Sequence, residues 1–312
     1  MEQDLLQQLE KRLGRLHARQ RLGIESEGEP RVFGGGINFF HPENWYSVHS
    51  LIRNGLRATG LYRRGWRNTL DIRVKRNEVS LKGLPHRFEG FTLLHISDIH
   101  ADMNPPAVQA LADLVGELEY DACVLTGDYR AQTQGPIDAA LLGMEILCAR
   151  LREPVYAVLG NHDSIRMLPG LEAMGVRVLL NEAIRLQRGE DGIYLVGIDD
   201  AHYYRVDNIQ KAAQDVPTEA VSVLLSHTPE IYRQAAHAGF GLMLCGHTHG
   251  GQICLPGGIP ITLDAKCPRY MGTGPWRYQE MTGYTSAGAG TCIVSVRLNC
   301  PPEVTLHRMC RA

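Results

Sequence analysis

The sequence is defined first by what it does not contain. Its eight cysteines stand singly at 123, 148, 245, 254, 267, 292, 300 and 310, and no two form a Cys-x-x-Cys pair. That excludes a zinc knuckle and a dithiol redox motif. Cys123, Cys245 and Cys292 sit in apolar runs, where a cysteine acts as a small hydrophobe. Reduced thiols and a cytoplasmic chain are therefore expected. A large charge excess is also missing: 32 Lys and Arg face 34 Asp and Glu. The whole molecule is thus not a polycation built to wrap nucleic acid. The acidic start Met1-Glu2-Gln3-Asp4 is followed by no apolar h-region, so no secretory leader is expected. The uncharged stretch 234–263 is rich in Gly, Pro, His and Thr, which suits no membrane span. Gly34-Gly35-Gly36 lacks the Lys-Ser/Thr of a phosphate-binding P-loop and reads as a turn. No repeat of 20–50 residues is visible.

What is present is ordinary in bulk and uneven in detail. With 312 residues and 44% hydrophobic content, a substantial core can form. Charge is polarised: residues 1–90 hold 16 basic against 10 acidic residues, and Asn44 to Arg87 hold 10 against 2. Residues 3–22 read as one helix with Leu5, Leu9, Leu13 and Leu16 on a stripe, ended by Gly23. Residues 24–44 read as a linker. Trp45, Val48, Ile52 and Leu56 return to helical spacing, and residues 70–82 alternate like a hairpin around Arg76-Asn77. From Phe91 the pattern changes. Apolar runs at 91–97, 122–126, 154–159, 193–198, 221–226 and 242–245 predict strands. Helical patterns fall at 105–119, 136–152, 165–174 and 230–238. This alternation predicts an α/β layered fold, with late strands at 292–298 and 303–309 forming an antiparallel edge or a second sheet.

The chemistry sits where these runs stop. One run ends in Asp98-Ile99-His100 and the next in Gly127-Asp128. The others end in Gly160-Asn161-His162-Asp163, in His227 and in Gly246-His247-Thr248-His249. Strand carboxyl ends in an open α/β sheet share one crevice. A lone Asp there is commonly a cap and a lone His a packed residue; five such endings together are not. Carboxylate, imidazole and amide donors suit Mn, Fe, Zn or Co. The set exceeds what one ion needs, but fits two ions about 3.5–4 Å apart with one shared carboxylate. Asp-x-His and His-x-His place both side chains on one face of an extended backbone.

These residues resemble the calcineurin-like metallophosphoesterase superfamily over about 91–255. Gly83-Leu84-Pro85, Gly250-Gly251-Gln252 and Asn299-Cys300-Pro301-Pro302-Glu303 extend the likeness over about 78–309. They point to the bacterial phosphodiesterase branch named for YkuE and YaeI, which includes a UDP-2,3-diacylglucosamine hydrolase of the chlamydial type. The resemblance implies a sandwich of two mixed β-sheets flanked by helices, placed over 70–312, while the periodicity of residues 1–69 reads as a helical extension and linker. It implies a dinuclear hydrolase of phosphodiester or pyrophosphate bonds, with two divalent ions, manganese first and iron, zinc or cobalt as alternatives. Asp98, His100, Asp128 and His249 would hold one ion. Asp128, Asn161, His227 and His247 would hold the other. His162 would protonate the leaving oxygen, its ring oriented by Asp163. Relatives often carry Ser-Arg-Gly-x-Gly where this chain has Ser286-Ala287-Gly288-Ala289-Gly290. The glycines there could form an anion-binding nest or a plain flexible loop.

Three further features bear on partners. Trp45, Tyr46, Tyr62 and Trp66 mix with Leu51, Ile52, Leu56, Leu61 and Arg53, Arg57, Arg63, Arg64 and Arg67. Segment 44–67 therefore suits either an anionic membrane surface at the inner face or simple packing on the catalytic domain. Nucleic acid is the weaker partner, because the acidic catalytic half lacks a basic track. Asp199, Asp200 and His202 close a strand and suit a turn or the crevice rim, and His95 inside a strand reads as structural. A lipid- or nucleotide-linked phosphoester is the expected substrate. Small soluble substrates, a nuclease and a non-catalytic metal-binding scaffold are the alternatives.

Overall fold

The computed structural model describes residues 2–27 and 46–312. The linker glycines Gly34–Gly36 and Trp45 lie outside them. Two six-stranded mixed sheets pack face to face, as the resemblance implies. The first runs β1 (Arg73–Leu81), β14 (Glu303–Arg311), β2 (Thr92–Ile96), β3 (Ala122–Leu125), β4 (Val155–Ala157), β5 (Val176–Val178). The second runs β12 (Gly274–Tyr278), β13 (Met281–Thr285), β9 (Leu242–Cys245), β8 (Ser222–Leu225), β7 (Asp191–Gly197), β6 (Glu182–Arg188). A two-stranded ribbon, β10 (Cys254–Leu255) and β11 (Ile259–Pro260), lies apart.

Alternation along the strands divides the core into layers. Leu93, Val124, Leu195, Val223 and Leu244 point between the sheets. Leu94, Ile96, Cys123 and Leu125 point outward, under α5 (Pro105–Val115), α6 (Asp138–Cys148) and α7 (Leu168–Ala173). Leu224, Met243 and Cys245 face the opposite way, under α8 (Ile209–Ala212) and α9 (Tyr232–His237). Burial on both faces of β2, β3, β8 and β9 explains why those segments read as continuous apolar runs.

Several expectations need correction. The first helix is two: α1 (Glu2–Leu13) and α2 (Arg15–Glu27), broken at Gly14, whose φ is 87°. The break turns the stripe. Leu9 and Leu13 are buried, Leu16 is 83% exposed, and Ala18 and Arg21 point inward instead. Gly23 does not end α2. Residues 70–82 form no hairpin, because β1 is continuous and pairs in parallel with β14 from Arg73↔Glu303 to Leu81↔Arg311. Residues 292–298 form no strand; their one ladder contact is the bridge Ile253↔Leu298. Strand β14 is central rather than an edge. Among the described residues no helix is long and apolar enough to cross a membrane.

Ahead of β1 come α3 (Tyr46–Ala58) and α4 (Leu61–Asn68). Helix α4 is anchored by Arg297 N donating to Gly65 O at 2.8 Å and Asn68 Nδ2 donating to Arg297 O at 2.8 Å. A Cβ at Gly65 would stand 2.8 Å from Val296 Cβ, so the glycine permits this close approach. Helix α3 packs chiefly on α4. Ile52 and Leu56 are half-buried, while Leu51 is 72% exposed and the five arginines are exposed.

Candidate metal centre

The carboxyl ends of β2, β3, β4, β8 and β9 meet at one crevice and bring all the strand-end residues together. Asp98, His100, Asp128, Asn161, His162, His227, His247 and His249 are all buried. Non-glycine residues rarely take positive φ, yet Asp98, His100, Asp128, His247 and His249 do, at 53°, 44°, 58°, 73° and 50°. Strain of this kind persists only where surrounding contacts enforce it. Gly246 shows how closely the backbones approach: a Cβ there would fall 1.9 Å from Ser97 Oγ and 2.2 Å from Asp98 Oδ2.

Two donor groups share Asp128. Asp98, His100 and Asp128 form one, and Asp128, His227 and His247 the other, with donor atoms of each group within 4.8 Å of one another. The tautomers follow from the outer hydrogen bonds. His100 Nδ1 lies 2.7 Å from Arg130 O, and His227 Nδ1 lies 2.7 Å from Thr126 O. A carbonyl only accepts, so both Nδ1 atoms carry the proton and both Nε2 atoms present lone pairs inward. His100 Nε2 faces His249 Nε2 at 3.1 Å. His227 Nε2 faces Asn161 Oδ1 at 2.9 Å, Asp128 Oδ2 at 3.2 Å and His247 Nδ1 at 3.2 Å. Buried acceptors converging on acceptors are costly unless cations sit among them. The donor set thus fits divalent ions.

Burial opposes a charge on His227, yet Asp128 and Asp98 raise its pKa to about 10, so its Nε2 holds a proton toward Asp128 that a bound ion would displace to use the lone pair. Burial, then His100 and Arg297, push His249 well below the ordinary imidazole range. Burial, then His202 and His227, do the same for His247. Asp128 overcomes its own burial through His227 and His162, and is held well below the usual carboxylate range.

His162 stands beside this centre, its ring centroid 5.4 Å from that of His100. Its main-chain N–H donates to Asp128 Oδ1 at 2.9 Å. The partner of its ring is not Asp163 but Thr133, with Nδ1 and Oγ1 3.3 Å apart. The Asp163 carboxylate instead accepts main-chain N–H groups of Asp128 at 2.7 Å, Tyr129 at 2.7 Å and Gly160 at 2.8 Å. It braces two metal-side loops against each other.

The Ser286–Gly290 segment is neither a nest nor a loose loop. Ala289 N donates to Ser97 O and Gly290 N to Asp98 O, both at 2.8 Å. Ala287 N donates to Glu303 Oε1 at 3.2 Å and Gly288 N to Ser286 Oγ at 3.0 Å, which leaves no amide for an anion. Asp200 accepts the N–H groups of His202, Tyr203 and Tyr204 in a turn, while the His202 ring lies 4.2 Å from that of His247 on the rim. Both sequence readings of that segment are therefore met. His95 is buried against Thr126 and His307, as a structural residue.

Sequence reasoning missed three residues. Arg297 is fully buried and donates to His249 O at 3.0 Å and Gly290 O at 2.6 Å. Its signal was a charge inside the apolar run 292–298. Arg130, next to the Gly127-Asp128 ending, donates Nε to His162 O at 2.5 Å. Cys292 does not pack as a core hydrophobe; it lies half-buried in a donor cluster with His100 and His249.

Comparison with known proteins fits this geometry. The calcineurin-like phosphoesterase family pattern matches residues 91–251. The metallophosphoesterase YkoQ of Bacillus subtilis is 30% identical over 78% of this chain and 92% of its own. The phosphodiesterase YaeI of Escherichia coli is 30% identical over 69% of this chain and 81% of its own. A zebrafish (Danio rerio) transmembrane protein with a metallophosphoesterase domain is 30% identical over 73% of this chain, which spans 55% of that longer protein. The chain belongs to the calcineurin-like phosphoesterase family, in its YaeI-like branch, and is a metal-dependent phosphoester hydrolase.

Proposed function

We propose that the crevice hydrolyses a phosphodiester or pyrophosphate bond, with Asp98, His100, Asp128 and His249 holding one divalent ion and Asp128, Asn161, His227 and His247 the other. The observation that carries this is the inward-facing set of lone pairs on both sides of Asp128. These nitrogen and oxygen donors suit manganese, iron, zinc or cobalt, and manganese is put first on the family resemblance. When bound, two such ions supply charge neutralisation at the phosphoryl oxygens and lower the pKa of a water to near neutrality. The protein supplies the rest. Asp128 sets the spacing of the two positions. His162, fixed by Asp128 through its main chain and by Thr133 through its ring, gives a proton to the leaving oxygen.

The substrate is read as lipid- or nucleotide-linked, with UDP-2,3-diacylglucosamine as the sharpest candidate. The name of the YaeI relative supports the phosphodiester class alone, and the lipid part of the reading rests on the amphipathic pair α3–α4, whose Leu51 and arginines face solvent. That pair would rest on an anionic membrane surface without spanning it. The test separates acid from ligand. His162→Ala should keep both ions and lose about 10²–10⁴-fold in turnover on an aryl phosphodiester. The loss should shrink as the leaving group improves. Loss of the ions on His162→Ala would show that it is a ligand instead.

A further inference from the structure

Helix α2 lies outside the region the family pattern matches, yet it reaches the loop that carries His162. Arg21, fully buried, donates NH2 to Asp163 O at 2.8 Å. Its Nε lies 3.2 Å from Glu25 Oε1 and 3.8 Å from Asp199 Oδ1, and its guanidinium sits 3.3 Å above the Tyr204 ring. One turn further on, Glu25 accepts from Ser164 Oγ at 2.6 Å and from Ile165 N at 2.7 Å. One turn earlier, His17 Nε2 lies 2.7 Å from Asp199 Oδ2. Residues at this spacing share one helix face. That face holds the main chain just after His162, at the end of β4 in the first sheet. It also holds the Asp199–Tyr204 segment after β7 in the second, whose His202 lies against His247.

Docking alone does not require this arrangement. Leu9 and Leu13 already seat α1, and Arg12 pairs with Glu172 at 2.9 Å and Glu182 at 2.7 Å, neither of which belongs to the two loops. A buried arginine carries a desolvation cost that a buried leucine does not. Here it is spent on the loop next to the proposed acid. His162 is thus gripped twice. From the crevice side, Asp128 takes its N–H and Arg130 its carbonyl. From outside, α2 takes the three residues that follow.

We propose that Arg21 and Glu25 of α2 are positioning residues that hold the Asn161–Ile165 loop so that His162 meets the leaving oxygen; this rests on His162 being the acid. Misplacement of a catalytic group by about 1 Å can cost on the order of 10²-fold. The test uses the full chain and aryl phosphodiesters with leaving groups from good to poor. Arg21→Met is expected to lower kcat about 10–100-fold while both ions stay bound. KM should hold to about twofold. The loss should shrink with better leaving groups, and Arg21→Lys should recover part of it. Arg21→Met added to His162→Ala should cost nothing more. Arg12→Gln, which loosens docking without touching either loop, should stay near wild type. If Arg21→Met does not fold, Glu25→Gln carries the same comparison with a less buried group. Losses that ignore the leaving group, that multiply with His162→Ala or that are matched by Arg12→Gln overturn the proposal alone. A harmless His162→Ala sinks the acid assignment, and this proposal with it.

Discussion

Two helical pairs precede the first strand, and they meet opposite fates. Both α1–α2 and α3–α4 mix leucine with arginine. In the first pair Leu9, Leu13, Ala18 and Arg21 are buried in or against the outer layer of the first sheet. In the second, among the described residues, the Gly65–Asn68 turn is tied to the catalytic body by hydrogen bonds with Arg297, and the arginines stay in solvent. Leucine and arginine do not separate the pairs, although α1–α2 also carries five acidic residues and α3–α4 none. The difference is partner supply: Glu172, Glu182, Asp199 and the Asp163 carbonyl await the arginines of α1–α2. Among the described residues, the arginines of α3 and α4 meet no comparable acidic set.

The largest expected effect probes this contrast directly. Leu9→Ala removes a fully buried side chain and should cost about 2–5 kcal/mol of unfolding free energy. Leu51→Ala, at a position 72% exposed, should stay within about 0.5 kcal/mol. Comparable losses at the two sites, read from denaturant midpoints, would erase the distinction. The next effect lies on the solvent-facing side. Replacing Arg53, Arg57, Arg63 and Arg64 with Gln should remove about 1 kcal/mol of anionic-vesicle affinity for each arginine engaged. Turnover of a small soluble substrate should not change. Sedimentation with anionic and neutral vesicles at low and high salt reads this out, and equal binding to both vesicle types would leave α3–α4 without its proposed partner.

A third comparison asks whether α1–α2 unfolds with the core. Burial lowers His95 to about 3 and, with His95 beside it, lowers His307 well below the ordinary range. Their folded pKa values lie below the unfolded value near 6.5. Their stability contribution is therefore complete above that pH and is lost as pH falls toward about 3. His95 alone should give a slope of about 1.4 kcal/mol per pH unit in that window. A probe on α1 and a probe in the sheets should show the same slope, and His95→Gln should flatten both. Early release of α1 at pH values where the sheets hold would separate the helix pair from the core.

The crevice was readable because each of its residues follows a short apolar run, so local order in the chain maps onto one edge of the sheets. Asp98, Asp128, His227 and His247 needed no long-range knowledge. The role of Asp163 was not readable. Its neighbour in sequence is His162, but its carboxylate turns to main-chain amides 34 and 35 residues away. Arg21 was less readable still, since its contact with Asp163 spans 142 residues. Residues 292–298 look like a strand by hydropathy, but other bonds take their amides. Val294 N donates to Cys292 O at 2.6 Å, Val296 N to Val294 O at 2.8 Å and Arg297 N to Gly65 O at 2.8 Å. Strands β6 and β12 escaped because their exposed faces interrupt the apolar runs, and β13, though buried, because Thr282, Gly283 and Thr285 break its run.

We propose that Asp128 joins two metal positions that act together. Metal content and turnover, measured on stripped protein during titration with manganese, test it most directly. Stripped protein should not hydrolyse an aryl phosphodiester, and full hydrolysis should come only as occupancy approaches two ions per chain. Asp128→Asn should lower occupancy at both positions. Full activity in exhaustively stripped protein, or Asp128→Asn binding both ions as wild type does, would contradict it.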